Sequence, residues 1–292
     1  MKKYFIMFAA IAALMCSCTK EEESEPANNT SIVENDSNLM TIKFSPYEIT
    51  PMKATTQISG ITKRLDVYII DLSTSDTMCF HQLKTNNNYG SITTPLKTNK
   101  VYHLYAVAHN VVSDTAAFSN DVISFPNDSV KQTLFIDTIF TPANGLTLNL
   151  EMYRIVGMFK LVMTDPVADV PSGFSKMSFS INTATGNRWN VNGYSANRIN
   201  QVRTINSVNR GDDGNITLNV YIMSHTMDSI TTVNIEANAM NSSNTVLETR
   251  TFNNVPIKNG YVTKYTGGFF VTFDMQMSFT TSDWGELGNY NY

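Results

Sequence analysis

Cysteine and charge are both scarce in this chain of 292 residues. Only 16% of the residues are charged, and just three are cysteine. Cys16 and Cys18 lie near the N-terminus, so Cys79 is the one cysteine left for a folded part. A single thiol excludes an internal disulfide and a cysteine-based metal site there. We expect Cys79, between Met78 and Phe80, to be a small core residue.

Basic residues are in short supply as well. The chain holds 21 Lys and Arg against 25 Asp and Glu, which gives a formal net charge of −4. Loss of Lys2 and Lys3 with an N-terminal signal would make the charge more negative still. Proteins that bind nucleic acid present basic patches to the phosphate backbone. The charge balance therefore argues against nucleic acid as a partner.

Motifs of catalysis and metal binding are missing too. The chain has four histidines, which are His81, His103, His109 and His225. His103 and His109 would share one strand face, but the strand rise separates them by about 20 Å, too far for one metal ion. Residues 211–215 (Gly-Asp-Asp-Gly-Asn) lack the closing Glu of an EF-hand, which favours a solvated hairpin turn. We therefore predict no enzymatic activity, no cofactor and no metal site.

Long helical patterns are absent, and short β patterns follow one another from residue 41 onward. Clear examples of such runs are residues 41–45, 64–71, 77–83 and 176–182. Residues 269–279 are predicted to be one long strand, the most hydrophobic of the strands. Gly157 within residues 155–164 indicates a bulge or a close backbone approach. Short strands separated by turn signals predict an all-β fold of two β-sandwich domains, at 41–148 and 149–292.

The N-terminus has the features of a bacterial lipoprotein leader. Lys2 and Lys3 precede an apolar run at residues 4–15, which is too short to span a bilayer and suits a signal peptide. Cys18 follows the small Ser17, as in a lipobox, whereas Cys16 follows the bulky Met15. We predict a signal peptide at 1–17 and lipidation, palmitate included, at Cys18, with Cys16 as second choice. An ordinary secretion signal with an incidental cysteine is the alternative.

Residues 18–40 are predicted to be a disordered tether. They carry the acidic run Glu21-Glu22-Glu23 and few apolar groups, so packing cannot offset the entropy of ordering them. An acidic run just after a lipidated cysteine also resembles the surface-export signal of Bacteroidota lipoproteins. A simple solvated linker is the alternative.

Several stretches taken together resemble the Bacteroidales fimbrillin superfamily, the type V pilins and their fimbrillin-associated anchor lipoproteins. These stretches are the start at Cys18 and residues 63–71, 99–110, 153–161 and 255–267. The resemblance implies two β-sandwich domains of transthyretin-like topology in an outer-membrane lipoprotein at the cell surface. It also implies the partners, which are other pilus subunits joined by strand exchange and the outer membrane reached through the lipid.

The same resemblance raises the question of the subunit's role in a fimbria. Shaft pilins are cut at an Arg after the first strand, and the vacated groove accepts a neighbour's strand, whereas anchor subunits keep their N-terminus and lipid. This chain has Lys53 at the matching place and Lys63-Arg64 at a later strand start. Lys53 is thus the candidate processing site. The departure favours an anchor-like or accessory subunit in cell adhesion over a shaft subunit.

A glycan-binding surface lipoprotein of a nutrient-uptake system is the alternative function. Trp189, Trp284 and residues 290–292 (Tyr-Asn-Tyr) could then form a stacking platform for sugars. Buried sandwich aromatics and a loose C-terminus explain the same residues. An exposed coplanar set of Trp and Tyr would favour the glycan-binding function.

Replacement of the predicted lipid acceptor tests the leader assignment. Cys18→Ala should release the protein from membranes or leave its leader uncleaved, because the acyl attachment site is gone. Membrane fractionation and acyl labelling measure these two effects. Continued labelling of the Cys18→Ala protein would place the lipid on Cys16 instead.

Overall fold

The computed structural model describes residues 37–47, 58–112, 115–119, 121–125, 133–143, 145–182, 186–191, 194–198, 200–224, 226, 228–271 and 274–281. Within these ranges the regular secondary structure is β-strand, apart from two short 3-10 helices at Ile58–Gly60 and Val167–Asp169. The predicted all-β sandwich fold is therefore confirmed. None of the described helices is long and apolar enough to cross a membrane.

The first half of the chain supplies nine strands. They are β1 (Ser37–Pro46), β2 (Arg64–Asp71), β3 (Thr77–Leu83), β4 (Ser91–Lys97), β5 (Tyr102–His109), β6 (Ala117–Ser119), β7 (Val122–Ser124), β8 (Leu134–Phe140) and β9 (Thr147–Arg154). Seven of them follow the order β3-β2-β5-β8-β9-β1-β4. Only two residue pairs, Leu134 with Arg154 and Phe135 with Tyr153, join β8 to β9. At this short pairing the strand order divides into two layers, β3-β2-β5-β8 and β9-β1-β4. The inward apolar residues of both layers, such as Leu104 and Ile42, share one core.

The second half forms another sandwich. Its strands are β10 (Gly157–Met163), β11 (Phe174–Ile181), β12 (Gly186–Asn190), β13 (Tyr194–Arg198), β14 (Gln201–Ile205), β15 (Ile216–Ile222), β16 (Thr231–Asn241), β17 (Val246–Ile257), β18 (Val262–Gly267) and β19 (Gln276–Thr280). The sheet β15-β10-β18-β19 and the sheet β14-β11-β16-β17 enclose a core that contains Phe159, Phe179 and Phe252.

The predicted long strand at residues 269–279 is wrong. Phe269 and Phe270 lie in a bend, and only β19 is a strand. The Asp165 carboxylate accepts hydrogen bonds of 2.8–2.9 Å from the backbone N–H groups of both phenylalanines. These donors are therefore used by a side chain rather than by a neighbouring strand, and both rings remain buried.

The expected close approach at Gly157 is confirmed. A Cβ atom at this position would lie 2.6 Å from the carbonyl oxygen of Lys258. The missing side chain lets the backbone after β17 pass directly over β10. Two hydrogen bonds of 2.9 Å hold this crossing, from Gly260 N–H to the Val156 carbonyl and from Met158 N–H to the Tyr261 carbonyl.

A small sheet of order β13-β12-β7-β6 joins the two halves. In it β7 pairs with β12, so that Ile123 from the first half lies opposite Trp189 from the second. Around them is a third buried cluster, the junction core, which includes Val107, Ile123, Phe135, Val156, Trp189 and Tyr221. Asp36–Tyr292 forms one compact unit. The domain bounds 41–148 and 149–292 stay a prediction.

Candidate assembly site: the first strand and its groove

Strand β1 lies between β4 and β9 and is hydrogen-bonded on both sides. It runs antiparallel to β4 over seven residue pairs, from Ser37–Lys97 to Lys43–Ser91. It runs parallel to β9 over six pairs, from Thr41–Thr147 to Pro46–Met152. Sequence reasoning predicted the strand but not these two neighbours. Without β1, both neighbouring strands would present unpaired backbone N–H and C=O groups.

The side chains of β1 alternate between the core and solvent, as the sequence of the strand predicts. Met40, Ile42 and Phe44 are buried, whereas Leu39 and Lys43 are exposed. Full burial of one such apolar side chain stabilises the fold by about 1.5–3 kcal/mol. The strand therefore sits in a groove that has a backbone ladder on each wall and pockets for alternate side chains.

Backbone and hydroxyl contacts hold β1 in place at its C-terminal end. Tyr47 N–H donates to the Met152 carbonyl at 2.8 Å, and Phe44 N–H donates to the Gly90 carbonyl at 2.9 Å. The Ser45 hydroxyl donates to the Leu150 carbonyl at 3.4 Å. The φ angle of +86° at Gly90 is one that glycine adopts without steric cost, and a Cβ there would approach Ile58 at 3.2 Å.

The C-terminal strand has a different environment. Among the described strands, β19 pairs with β18 alone and forms the edge of its sheet. Gln276, Met277 and Ser278 are exposed there. An edge that no other described strand covers offers its backbone groups to another chain.

The residues predicted to carry lipid and processing are not among the described residues. Cys16, Cys18 and Lys53 all lie outside the described ranges, so lipidation and cleavage stay predictions. His225, Trp284 and the stretch 290–292 lie outside them too. Trp189 is fully buried in the junction core, which confirms a buried sandwich aromatic and removes it from any sugar platform.

Two of the histidines converge on one buried carboxylate, an arrangement that the sequence reasoning missed. Asp66 Oδ1 accepts hydrogen bonds from Arg64 Nε at 3.0 Å and from His81 Nδ1 at 2.9 Å. Asp66 Oδ2 accepts from His109 Nε2 at 2.9 Å and from Ala116 N–H at 2.8 Å. His109 is fully buried, and its Nδ1 accepts a hydrogen bond from the Val111 N–H. An aspartate inside the apolar run of β2 was the only available signal.

The electrostatics of Asp66 suit a structural role. Burial alone would raise the pKa of Asp66, but the hydrogen bonds from His109 and His81 outweigh it and hold that pKa well below the usual range. The ionised carboxylate uses both oxygens on four donors. We call residues 111–112, 115–119 and 121–125 the cover segment. The Asp66 carboxylate holds this segment against the strands β3-β2-β5-β8 through its hydrogen bond with Ala116. Tyr68 reinforces this contact, because its hydroxyl donates to the Ala116 carbonyl at 2.6 Å.

The third histidine belongs to a separate chain of hydrogen bonds. His103 contacts Asp137 through Nε2 and the Tyr105 hydroxyl through Nδ1, the latter at 2.9 Å. Burial first, and then the charges of Asp137 and Asp121, raise the pKa of Tyr105. The phenol therefore stays protonated at neutral pH and is not an activated nucleophile.

The other sequence expectations concern metal and thiol chemistry. In the part of the chain that the structure describes, no three His, Cys, Asp or Glu side chains are grouped as metal ligands would be. Within the predicted solvated turn, the Asp213 carboxylate accepts hydrogen bonds from the backbone N–H and the side-chain amide of Asn215, both at 3.0 Å. Cys79 is half-buried on β3 rather than a core residue.

Comparison with known proteins finds similarity in structure but not in sequence. No protein-family model matches the chain, and no curated protein matches its sequence. A candidate adhesin from Bacteroides thetaiotaomicron has a TM-score of 0.52 at 7% identity, and the match covers 84% of this chain and 98% of that one. A candidate adhesin from Bacteroides ovatus has a TM-score of 0.51 at 11% identity, with 87% and 97% covered.

A third solved structure is a candidate polysaccharide-binding protein from Bacteroides thetaiotaomicron. Its TM-score is 0.50 at 10% identity, and the match covers 82% of this chain and 96% of that one. The chain thus shares its fold with Bacteroides proteins of these names. The shared fold is consistent with the predicted resemblance to the Bacteroidales fimbrillin superfamily.

A pair of neighbouring substitutions tests the groove. Ile42→Ala should lower the free energy of unfolding by about 2–5 kcal/mol, because it leaves a cavity under β1. Lys43→Ala, the matched change on the outward face, should change it by less than about 0.5 kcal/mol. Urea unfolding of both variants measures the difference. Equal effects at the two positions would contradict the observed orientation of the strand.

Asp66→Asn tests the buried carboxylate. At pH 7 the change should cost about 3–5 kcal/mol, because it leaves buried donors without their charged partner. The pKa of Asp66 is lower in the folded than in the unfolded chain, so its contribution is present above the ordinary carboxyl pKa and is lost as the pH falls toward the folded value. The free-energy gap between wild type and variant should therefore be smaller at pH 3 than at pH 5. Urea unfolding at both pH values measures this free-energy gap. A gap that does not change with pH would contradict an ionised Asp66 carboxylate in the folded protein.

Proposed function

We propose that this protein is a structural subunit of a surface fimbria, anchor-like or accessory, that acts in cell adhesion. We also propose that it joins neighbouring subunits by β-strand addition and has no enzymatic activity. The observation that carries the proposal is the seating of β1 between β4 and β9. The fold that the chain shares with Bacteroides proteins named as candidate adhesins supports it.

The groove of β1 has the properties that strand addition needs. Main-chain hydrogen bonds on both walls give affinity for any extended segment, and the pockets of Met40, Ile42 and Phe44 select for alternating apolar side chains. A segment from a neighbouring subunit with the same alternation would meet the same two walls. The exposed edge of β19 offers a second surface on which backbone groups of a neighbour could pair.

An anchor-like subunit would use β1 differently from a shaft subunit. With β1 retained, the residues before Ser37 link the sandwich to the lipid that we propose on Cys18. Eighteen residues separate Cys18 from Ser37, and an extended chain of that length reaches about 60 Å. The subunit would then stand on the outer membrane and present the rest of its surface to other pilus subunits.

The fate of Lys53 tests this role. We expect the surface-extracted protein to keep residues 18–52, because cleavage after Lys53 would separate the sandwich from its lipid. N-terminal sequencing of the mature chain measures this, with Lys53→Ala as the variant and Lys63→Ala as the matched basic control. A mature chain that begins at Ala54, together with assembly that stops only in Lys53→Ala, would identify a processed shaft subunit instead.

A further inference from the structure

His109 is a titratable side chain that connects the buried carboxylate to the start of the cover segment. Its ring is fully buried at the end of β5. On one side, His109 Nε2 lies 2.9 Å from Asp66 Oδ2. On the other side, its Nδ1 lies 3.2 Å from the backbone nitrogen of Val111, the first residue of the cover segment. The imidazole therefore bridges the carboxylate and the backbone from which this segment begins.

These two contacts determine the protonation state of the ring. A backbone N–H can only donate, so Nδ1 must present its lone pair to Val111. An ionised carboxylate can only accept, so Nε2 must carry the proton that faces Asp66. Neutral imidazole with its proton on Nε2 is the form that satisfies both partners. Imidazolium carries a proton on each nitrogen and would set two donors, Nδ1–H and the Val111 N–H, against each other.

The charged groups around His109 come from two strands. Arg64 and Asp66 of β2 both keep their charges between pH 5 and pH 8. Burial would raise the pKa of Asp66, but its hydrogen bonds outweigh burial and hold that pKa well below the usual range. His81 of β3 donates to the same carboxylate from a side chain that is 31% exposed. A second proton on His81 breaks none of the hydrogen bonds that described residues make with that ring.

The other described residues that contact His109 or Asp66 bring no group that titrates between pH 5 and pH 8. The cover segment contributes the Phe125 ring, edge-on to the His109 ring with centroids 6.5 Å apart, besides backbone N–H groups. Lys63 donates to the His109 carbonyl through its backbone N–H at 3.0 Å, and its side chain is exposed. Burial raises the pKa of Tyr89, whose phenol therefore stays neutral beside the charge of Asp66.

We propose that His109 makes the attachment of the cover segment sensitive to pH, because a proton on its Nδ1 releases Val111. Asp66 supplies the negative charge that makes an imidazolium tolerable in a buried position. The Val111 N–H then has no acceptor in the ring and must reach water, which requires the start of the segment to move outward. The open form holds one proton more than the closed form, so a lower pH favours it. Histidine is the side chain that ordinarily changes its charge between pH 5 and pH 8.

The remaining contacts of the cover segment predict where it opens. Arg64 Nη1 donates to the Val112 carbonyl at 3.1 Å, and Ala116 N–H donates to Asp66 at 2.8 Å. Neither contact titrates in this range, so the segment loosens from its start and stays attached further along. Strand β7 in its later part pairs with β12 of the other half. The response should therefore be largest near Val111 and become smaller toward β7.

Hydrogen exchange tests this proposal on residues 19–292, which include the whole compact unit Asp36–Tyr292. Peptides that span residues 111–119 should exchange about tenfold faster at pH 5.5 than at pH 7.5, after correction for the intrinsic effect of pH on amide exchange. Peptides of β16 and β17 should not change. The measurement needs no lipid and no partner subunit, so its outcome is independent of the fimbrial role.

Three glutamine variants assign the response to one histidine. His109→Gln has no ring to protonate and should lose the difference between the two pH values. His103→Gln is the matched control, because His103 lies on the same face of β5 in a separate chain of hydrogen bonds, and this variant should keep the difference. His81→Gln should keep it as well. A response that His109→Gln keeps, or that only His81→Gln loses, would overturn the proposal.

NMR of the unsubstituted protein provides a measurement that does not depend on whether His109→Gln folds. The chemical shift of the Val111 amide proton should change with the same midpoint as the protonation of the His109 ring. A His109 ring that stays neutral from pH 8 to pH 5 would overturn the proposal. So would a Val111 amide that does not respond while the ring titrates, or equal exchange of residues 111–119 at the two pH values.

Discussion

The contact between the two halves of the molecule depends on the hydrogen bonds of the buried Asp66 carboxylate. A charge without solvent is tolerated only when donors surround it, and here four donors from β2, β3, β5 and the cover segment do so. The cover segment carries β6 and β7, and β7 pairs with β12 of the other half. One ionised side chain in the first sandwich thus fixes the segment that holds the second. The junction core fills the space between them with apolar side chains such as Trp189 and Phe135.

Local pattern was enough to locate many strands. The bounds of β2 and β3 agree with the predicted runs, because both strands combine β-branched residues with clear turn signals. Strand β4 was missed, since Pro95 and three Ser or Thr residues look like a loop, yet its edge position tolerates the proline. Strands β12 and β13 were missed because their polar sequences acquire strand structure only through pairing, β13 with β12 and β12 with β7 of the first half.

The candidate site was less predictable than the strands that build it. Alternation identified the core of β1, but nothing in residues 41–45 encodes β9 as a neighbour, more than a hundred residues away. The same limit applies to Asp66 and His109, which meet because β2 and β5 pair antiparallel. It applies also to the ring contact between Tyr47 and Tyr153, which follows from the parallel pairing of β1 with β9. Side-chain contacts that arise from non-local strand pairing cannot be predicted from one segment at a time. The alternation of buried and exposed residues along a strand is encoded locally and can be.

The position of β1 also determines how the molecule would respond to mechanical force. Only two residues separate the end of β9 from β10, so the C-terminal ends of the parallel strands β1 and β9 adjoin the second sandwich. The opposite end of β1 is where the chain enters. Tension between that entry point and the second sandwich would run along the strand axis, at right angles to the antiparallel hydrogen bonds with β4. The bonds on both sides of β1 would then be loaded together in shear, rather than opened one after another. A strand held in this way resists pulling collectively, as the fimbrial role that we propose would require.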